Sequence, residues 1–154
     1  VDCVIRNNEG SGVDGRIHLR RCVVSGNQDS GYSNWLNISG GNLRECRFVG
    51  NSSSIGGGIP IGDNLSANPN LNQVIDRCEI VGNSGVDGGG IWGMGQGGLQ
   101  ITNSRMAGNS ATQRGGGIYF DANNPFKLFS NAVVQVKGCI LSGNTAPTGA
   151  AAYL

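Results

Sequence analysis

The chain has 154 residues, a formal charge of +1 and 38% apolar residues. That length fits one domain spanning 1–154, the near-neutral charge supplies no field for nucleic acid or an anionic membrane, and no run of about 18 apolar residues marks a membrane span. Glycine is the outlier at 28 residues, against an average usage of roughly 7%. Few prolines and no triplet period exclude collagen, and regular apolar positions between the glycines argue against a disordered linker.

Taken in chain order, the predicted elements are six copies of one unit. The first runs from Cys3 through Asn8 to Ile17, and the second from Cys22 through Asn27 to Trp35. The third is the clearest: Cys46-Arg47-Phe48-Val49-Gly50-Asn51, then Gly56-Gly57-Gly58-Ile59. The fourth repeats it as Cys78-Glu79-Ile80-Val81-Gly82-Asn83 with Gly88-Gly89-Gly90-Ile91. The fifth goes from Ser104 through Gly108-Asn109 to Gly115-Gly116-Gly117-Ile118, and the sixth from Cys139 through Asn144 to Ala152.

From the Cys or Ser to the closing apolar residue the copies take 14, 13, 13, 13, 14 and 13 steps. The return to the next copy takes 5, 11, 19, 13 and 21. One arc is held constant and the other absorbs every insertion. Short alternating runs bounded by Gly and Asn read as strands and turns, not as amphipathic helices. The sequence therefore predicts an all-β fold, a parallel β-helix (solenoid) of about six coils. Equivalent residues then stack in columns about 4.8 Å apart.

Four columns are expected inside: the Cys/Ser column, Ile5-Val24-Phe48-Ile80-Met106-Leu141, Leu19-Leu43-Ile75-Ile101-Val136, and Ile17-Trp35-Ile59-Ile91-Ile118-Ala152. The odd step between the Leu/Ile column and the Cys column requires a corner, because a straight strand alternates faces. The Asn column (Asn8, Asn27, Asn51, Asn83, Asn109, Asn144) suits a left-handed corner or a ladder of amides bonded from coil to coil. The residue after each Cys faces outward, and its centre alternates in sign through Arg47, Glu79 and Arg105.

Phe48-Val49-Gly50-Asn51 followed by Gly56-Gly57-Gly58-Ile59 resembles the two short motifs of polymorphic outer-membrane protein repeats, Phe-x-x-Asn and Gly-Gly-Ala-Ile. More broadly the whole chain is similar to right-handed parallel β-helix repeat proteins of bacterial surfaces and secreted polysaccharide-active proteins. The resemblance implies the right hand of the coil and a secreted or cell-surface location.

The side chains that carry chemistry are sparse. The five cysteines lie 19, 24, 32 and 61 residues apart, without the close pair a zinc site uses, and one shared phase predicts a reduced, buried column. His18 is the only histidine and reads as a surface residue. The Gly85-Val86-Asp87-Gly88 stretch lacks the recurrence of a calcium-binding nonapeptide. A glycosidase needs two carboxyl groups at a defined separation, whereas Glu45 and Glu79 alternate with arginines and Asp63, Asp76, Asp87 and Asp121 fall in different phases. The expectation is a non-enzymatic segment with no metal and no cofactor; the alternatives are a fragment of a polysaccharide lyase or glycosidase, or a structural self-associating spacer.

The candidate ligand site is an aromatic strip. The column after the closing apolar residue reads His18, Leu36, Pro60, Trp92, Tyr119, Tyr153, beside Gly58, Gly90 and Gly117. Facing out, Trp92, Tyr119 and Tyr153 form a shelf for a sugar face or a protein; covered over, the same rings are satellite core. The insertions 61–73, 93–98 and 120–132 are expected to emerge beside it and to add Asp63, Asn64, Asp121, Asn123, Asn124 and Lys127. Partners expected are a glycan or protein ligand and a second copy joined through the solenoid ends. The termini, Val1-Asp2-Cys3 and the run 150–154, carry no polar cap; they read as continuing into more chain or as pairing with another molecule, a closed dimer being the expected form.

Overall fold

The structure is a computed structural model that describes residues 2–15, 18–29, 32–33, 42–62, 73–94, 98–121 and 133–154. These residues form strands and turns, and every strand pairing is parallel. The largest sheet takes one strand from each copy of the repeat, in sequence order: β1 (Cys3–Arg6), β4 (Cys22–Ser25), β7 (Arg47–Val49), β10 (Glu79–Val81), β14 (Arg105–Ala107) and β18 (Ile140–Ser142). A second sheet runs β3 (Leu19–Arg20), β6 (Asn42–Arg44), β9 (Gln73–Asp76), β13 (Leu99–Thr102), β17 (Val134–Lys137). A third runs β8 (Ile59–Gly62), β12 (Ile91–Met94), β16 (Ile118–Asp121), β19 (Ala152–Tyr153). Two short pairs complete the set, β2 (Val13–Asp14) with β5 (Tyr32–Ser33) and β11 (Ser84–Asp87) with β15 (Ser110–Arg114).

The register is the one the repeat predicts. Val24, Phe48, Ile80, Met106 and Leu141 pair across successive strands, as do Ile59, Ile91, Ile118 and Ala152. Phe48, Ile80, Leu43, Ile75, Ile101, Ile91 and Ile118 are all fully buried, each such side chain stabilising by about 1.5–3 kcal/mol relative to exposure. Ile17, Trp35 and Leu36 lie outside the described residues.

The corner before the Cys column is built from left-handed backbone: Arg21, Glu45, Arg77 and Asn103 have φ of 54°, 56°, 52° and 51°, and Gly138 64°. A side chain there costs about 1–2 kcal/mol. The Cys column offsets part of that, because its thiols reach back across the corner. Cys22, Cys46, Cys78 and Cys139 donate to the carbonyls of Arg20, Arg44, Asp76 and Lys137 at 3.4, 3.1, 3.4 and 3.4 Å. Ser104 does the same to Thr102 at 2.7 Å, which explains why a hydroxyl stands in for a thiol at that position. The cysteines are free thiols. Cys22, Cys46 and Cys78 are buried as expected, whereas Cys3 and Cys139 are only half-buried, because Cys3 lies on the edge strand β1 and Cys139 immediately precedes the edge strand β18.

The asparagines form the amide ladder and do not themselves turn the chain. The left-handed residue is the one before each of them: Asn7, Gly26, Gly50, Gly82, Gly108 and Gly143. With the turn made there, the asparagine points inward, and Asn27, Asn51, Asn83 and Asn109 are buried. Asn83 Oδ1 accepts from the main chain and amide of Asn51 at 2.9 and 3.0 Å. Its Nδ2 donates to Asn109 Oδ1 and to the Phe48 carbonyl, both at 3.0 Å. The amide-to-amide bonds recur with the same direction from Asn8 to Asn144.

The glycine runs are tight for a related reason. A Cβ on Gly57, Gly89 or Gly116 would stand 2.2, 2.3 or 2.4 Å from the carbonyl oxygen of Ser84, Ser110 or Thr145 in the next copy. One on Gly58, Gly90 or Gly117 would meet the next copy's backbone and its ladder asparagine. These glycines are therefore buried between neighbouring passes and supply no bare outer floor beside the aromatic rings, contrary to the expectation.

Candidate functional site

Trp92, Tyr119 and Tyr153 occupy paired positions on β12, β16 and β19. Their neighbours Ile91 and Ile118 point into the core cluster, so alternation turns the aromatic rings to the opposite face. Trp92 and Tyr119 stack with centroids 6.5 Å apart, and Tyr119 and Tyr153 with centroids 5.5 Å apart. The column is not an open shelf. Trp92 is 7% and Tyr119 3% exposed, while Tyr153 is 37% exposed. The chain lies close against the column's base: a Cβ on Gly56 would sit 2.3 Å from Trp92 Cβ, and one on Gly115 2.7 Å from Tyr119 Cβ. The satellite-core alternative therefore describes Trp92 and Tyr119, and only Tyr153 offers a ring to solvent.

Arg114 closes the column from β15. Its guanidinium lies 4.6 Å from the Tyr119 centroid and 5.6 Å from that of Tyr153, within range of a cation–π contact. Asp87 on β11 holds it with a bidentate pair, Nε to Oδ1 at 3.0 Å and Nη2 to Oδ2 at 2.9 Å. That carboxylate, aided by Tyr119 and Tyr153, pushes the Arg114 pKa further up. Tyr119 donates to Asp121 Oδ2 at 3.3 Å; burial first, then the Asp121 charge, raises its phenol. Asp121 thus lies beside Tyr119 at the end of β16. Asp63, Asn64, Asn123, Asn124 and Lys127 lie outside the described residues. The chain leaves the third sheet at Gly62, Met94 and Asp121 and rejoins the second at Gln73, Leu99 and Val134.

The Asp87–Arg114 pair was missed by the reading of the sequence as a site. Its signal was present: the two residues immediately precede Gly88 and Gly115 and pair in register, an opposite-charge column like the others. Four other acids, Asp2, Glu45, Asp76 and Glu79, are also held by neighbours. Arg21 makes a bidentate pair with Asp2 at 2.6 and 2.9 Å and holds that carboxyl down to about 2. Thr102, then Asn103 and Arg77, lower Asp76. Arg47 meets Glu79 at 2.8 Å, and Arg77 meets Glu45 at 3.3 Å. His18 is exposed and its Nδ1 accepts the Asn42 main-chain N–H at 3.0 Å. Among the described residues no three His, Cys, Asp or Glu side chains converge on a metal position.

These observations define an all-β protein of parallel, in-register sheets with an aromatic column capped by an ion pair. No family model, curated protein or solved structure matches the chain.

Proposed function

We propose that the chain is a right-handed parallel β-helix of about six coils and a non-enzymatic, self-associating structural segment of a secreted or cell-surface protein. The observation that carries this reading is the use made of its polar side chains: the buried asparagines bond along the stack, and Asp2, Glu45, Glu79 and Asp87 pair with arginines of neighbouring passes. Such pairing holds register between passes of the chain. It does not prepare the acid and base that glycoside cleavage needs. The right hand and the location come from the resemblance to surface β-helix repeats.

A second reading, contact with a glycan or protein at the Tyr153–Arg114 corner, is favoured by the exposed Tyr153 beside an Arg114 side chain that is 39% exposed. The test of the first is incubation with acidic polysaccharides, followed by reducing-end release and the absorbance of unsaturated products. No release over the protein-free control is expected; turnover that survives repurification would overturn the structural reading. The second is tested by glycan-array binding with Tyr153→Ala, where loss of a signal seen with the unaltered chain is expected.

A further inference from the structure

We propose that Cys3 and Cys22 are a redox pair, two free thiols that a peroxide converts into a disulfide joining the first pass of the chain to the second. The pair needs only β1 beside β4, whatever the rest of the stack does.

The ground is the distance between the sulfurs. Cys3 and Cys22 face each other in register on β1 and β4, and the Cys3 thiol donates to the Cys22 sulfur at 2.7 Å. Side chains that merely pack keep even their carbon atoms about 3.5–4.0 Å apart, and sulfur is larger than carbon. Opposed residues on neighbouring strands stand about 4.8 Å apart, within the span of roughly 4.4–6.8 Å that a disulfide bridges between Cα atoms. The sulfurs need approach by only about 0.7 Å more to reach the ~2.05 Å of the bond.

The rest of the column is arranged differently. Cys46, Cys78 and Cys139 direct their thiols at main-chain carbonyls at 3.1, 3.4 and 3.4 Å, and Ser104 cuts the column between Cys78 and Cys139. Cys22 also reaches a carbonyl, at 3.4 Å, while its sulfur accepts from Cys3. Cys46 and Cys78 are the competing pair, since the Cys78 thiol pulls the Cys46 pKa down.

The chemistry balances with one peroxide. One sulfur, as its thiolate, attacks the O–O bond, becomes a sulfenic acid and releases hydroxide. The other sulfur attacks it, the S–S bond forms, and the S–O bond breaks. Two thiols and one hydrogen peroxide give one disulfide and two waters; the sulfurs are oxidised and the peroxide oxygens reduced. The bond closes the loop from residue 3 to residue 22 and restricts the unfolded chain.

The test treats the folded, reduced chain with a slight excess of hydrogen peroxide in mildly alkaline buffer, which feeds the thiolate. The protein is then denatured, alkylated, cut with trypsin and weighed. A loss of two hydrogens from the intact mass before alkylation is expected, with one linked pair of peptides, 1–6 and 22–44, which carry Cys3 and Cys22. Dithiothreitol separates them, and Cys46, Cys78 and Cys139 are recovered alkylated. Cys46→Ser is expected to keep the link and Cys22→Ser to lose it, each placing a hydroxyl where the column already uses Ser104. The link is expected to form faster in the folded chain than in urea. A first link between Cys46 and Cys78, a link between two molecules, Cys3 oxidised with Cys22 still free, no reaction, or equal rates in urea overturns the pair.

Discussion

Replacing Asn83 by alanine removes the middle of the amide ladder at a fully buried position. The side chain makes four hydrogen bonds, two accepted from Asn51 and two donated, to Phe48 and Asn109. Asn109 Oδ1 keeps one donor, the main-chain N–H of residue 83 at 3.0 Å. The Asn51 N–H, one Asn51 amide hydrogen and the Phe48 carbonyl are left without that partner in the interior. Each buried polar group stranded in this way costs about 1–3 kcal/mol, and partial relaxation brings the expected loss to about 3–5 kcal/mol. That is a large part of a stability of roughly 5–15 kcal/mol. Urea unfolding followed by circular dichroism measures it, and faster amide exchange at Asn51 locates it. The carboxyl introduced by Asn83→Asp keeps the acceptors but faces two oxygens, so it is at least as damaging at neutral pH. Its folded pKa is raised, so stability returns as pH falls and the carboxyl gains a proton to donate. A loss below about 1 kcal/mol for Asn83→Ala, on the same scale, would refute the ladder as a source of stability.

Gly89→Ala puts a Cβ 2.3 Å from the Ser110 carbonyl and is expected to cost about 3 kcal/mol or to prevent folding. Gly82→Ala, at φ 63° with nothing within 4 Å, costs only about 1 kcal/mol, and Gly82→Asn less; thermal melts rank the three. A thiol reagent is expected to modify Cys3 and Cys139 in the native protein, and the buried Cys22, Cys46 and Cys78 only as it unfolds. Burial, then the Cys22 thiol, pushes Cys3 from 9.0 up to about 11. The folded state thus prefers the neutral thiol: its contribution is complete below pH 9 and is lost as pH rises through 11, and Cys3→Ser should flatten that alkaline limb of a stability–pH curve. A double-mutant cycle of Asp87→Leu and Arg114→Met is expected to give a coupling of about 1 kcal/mol, with near-additive losses counting against the clamp.

The register was legible because one arc of every copy has nearly constant length, so the Cys, Leu/Ile and Asn phases could be aligned without knowing the path of the insertions. That the Cys/Ser position needs a small donor as well as packing was not read from the sequence; the bonds to the carbonyls two residues back show it. Direction was less legible. Gly58, Gly90 and Gly117 carry no side chain to show a facing, and what fixes them is a contact with the next copy, invisible along one strand. Trp92 and Tyr119 pair on neighbouring strands as the repeat implies, but the closeness of Gly56 and Gly115 to them and of an arginine from a different sheet to Tyr119 is invisible along one strand. The left-handed turn belongs to the residue before each asparagine because an inward, fully bonded amide and a turn-making backbone cannot both be met at one position.

The one-way asparagine ladder also gives the stack an axial electric polarity. An amide carries about 3.5 D, and six aligned amides sum to roughly 20 D along the stack axis, their positive pole at Asn144 and their negative pole at Asn8. In an oscillating field the folded chain should orient as a body and give a dielectric dispersion set by its tumbling time. Substituting a central asparagine removes about one sixth of this axial contribution.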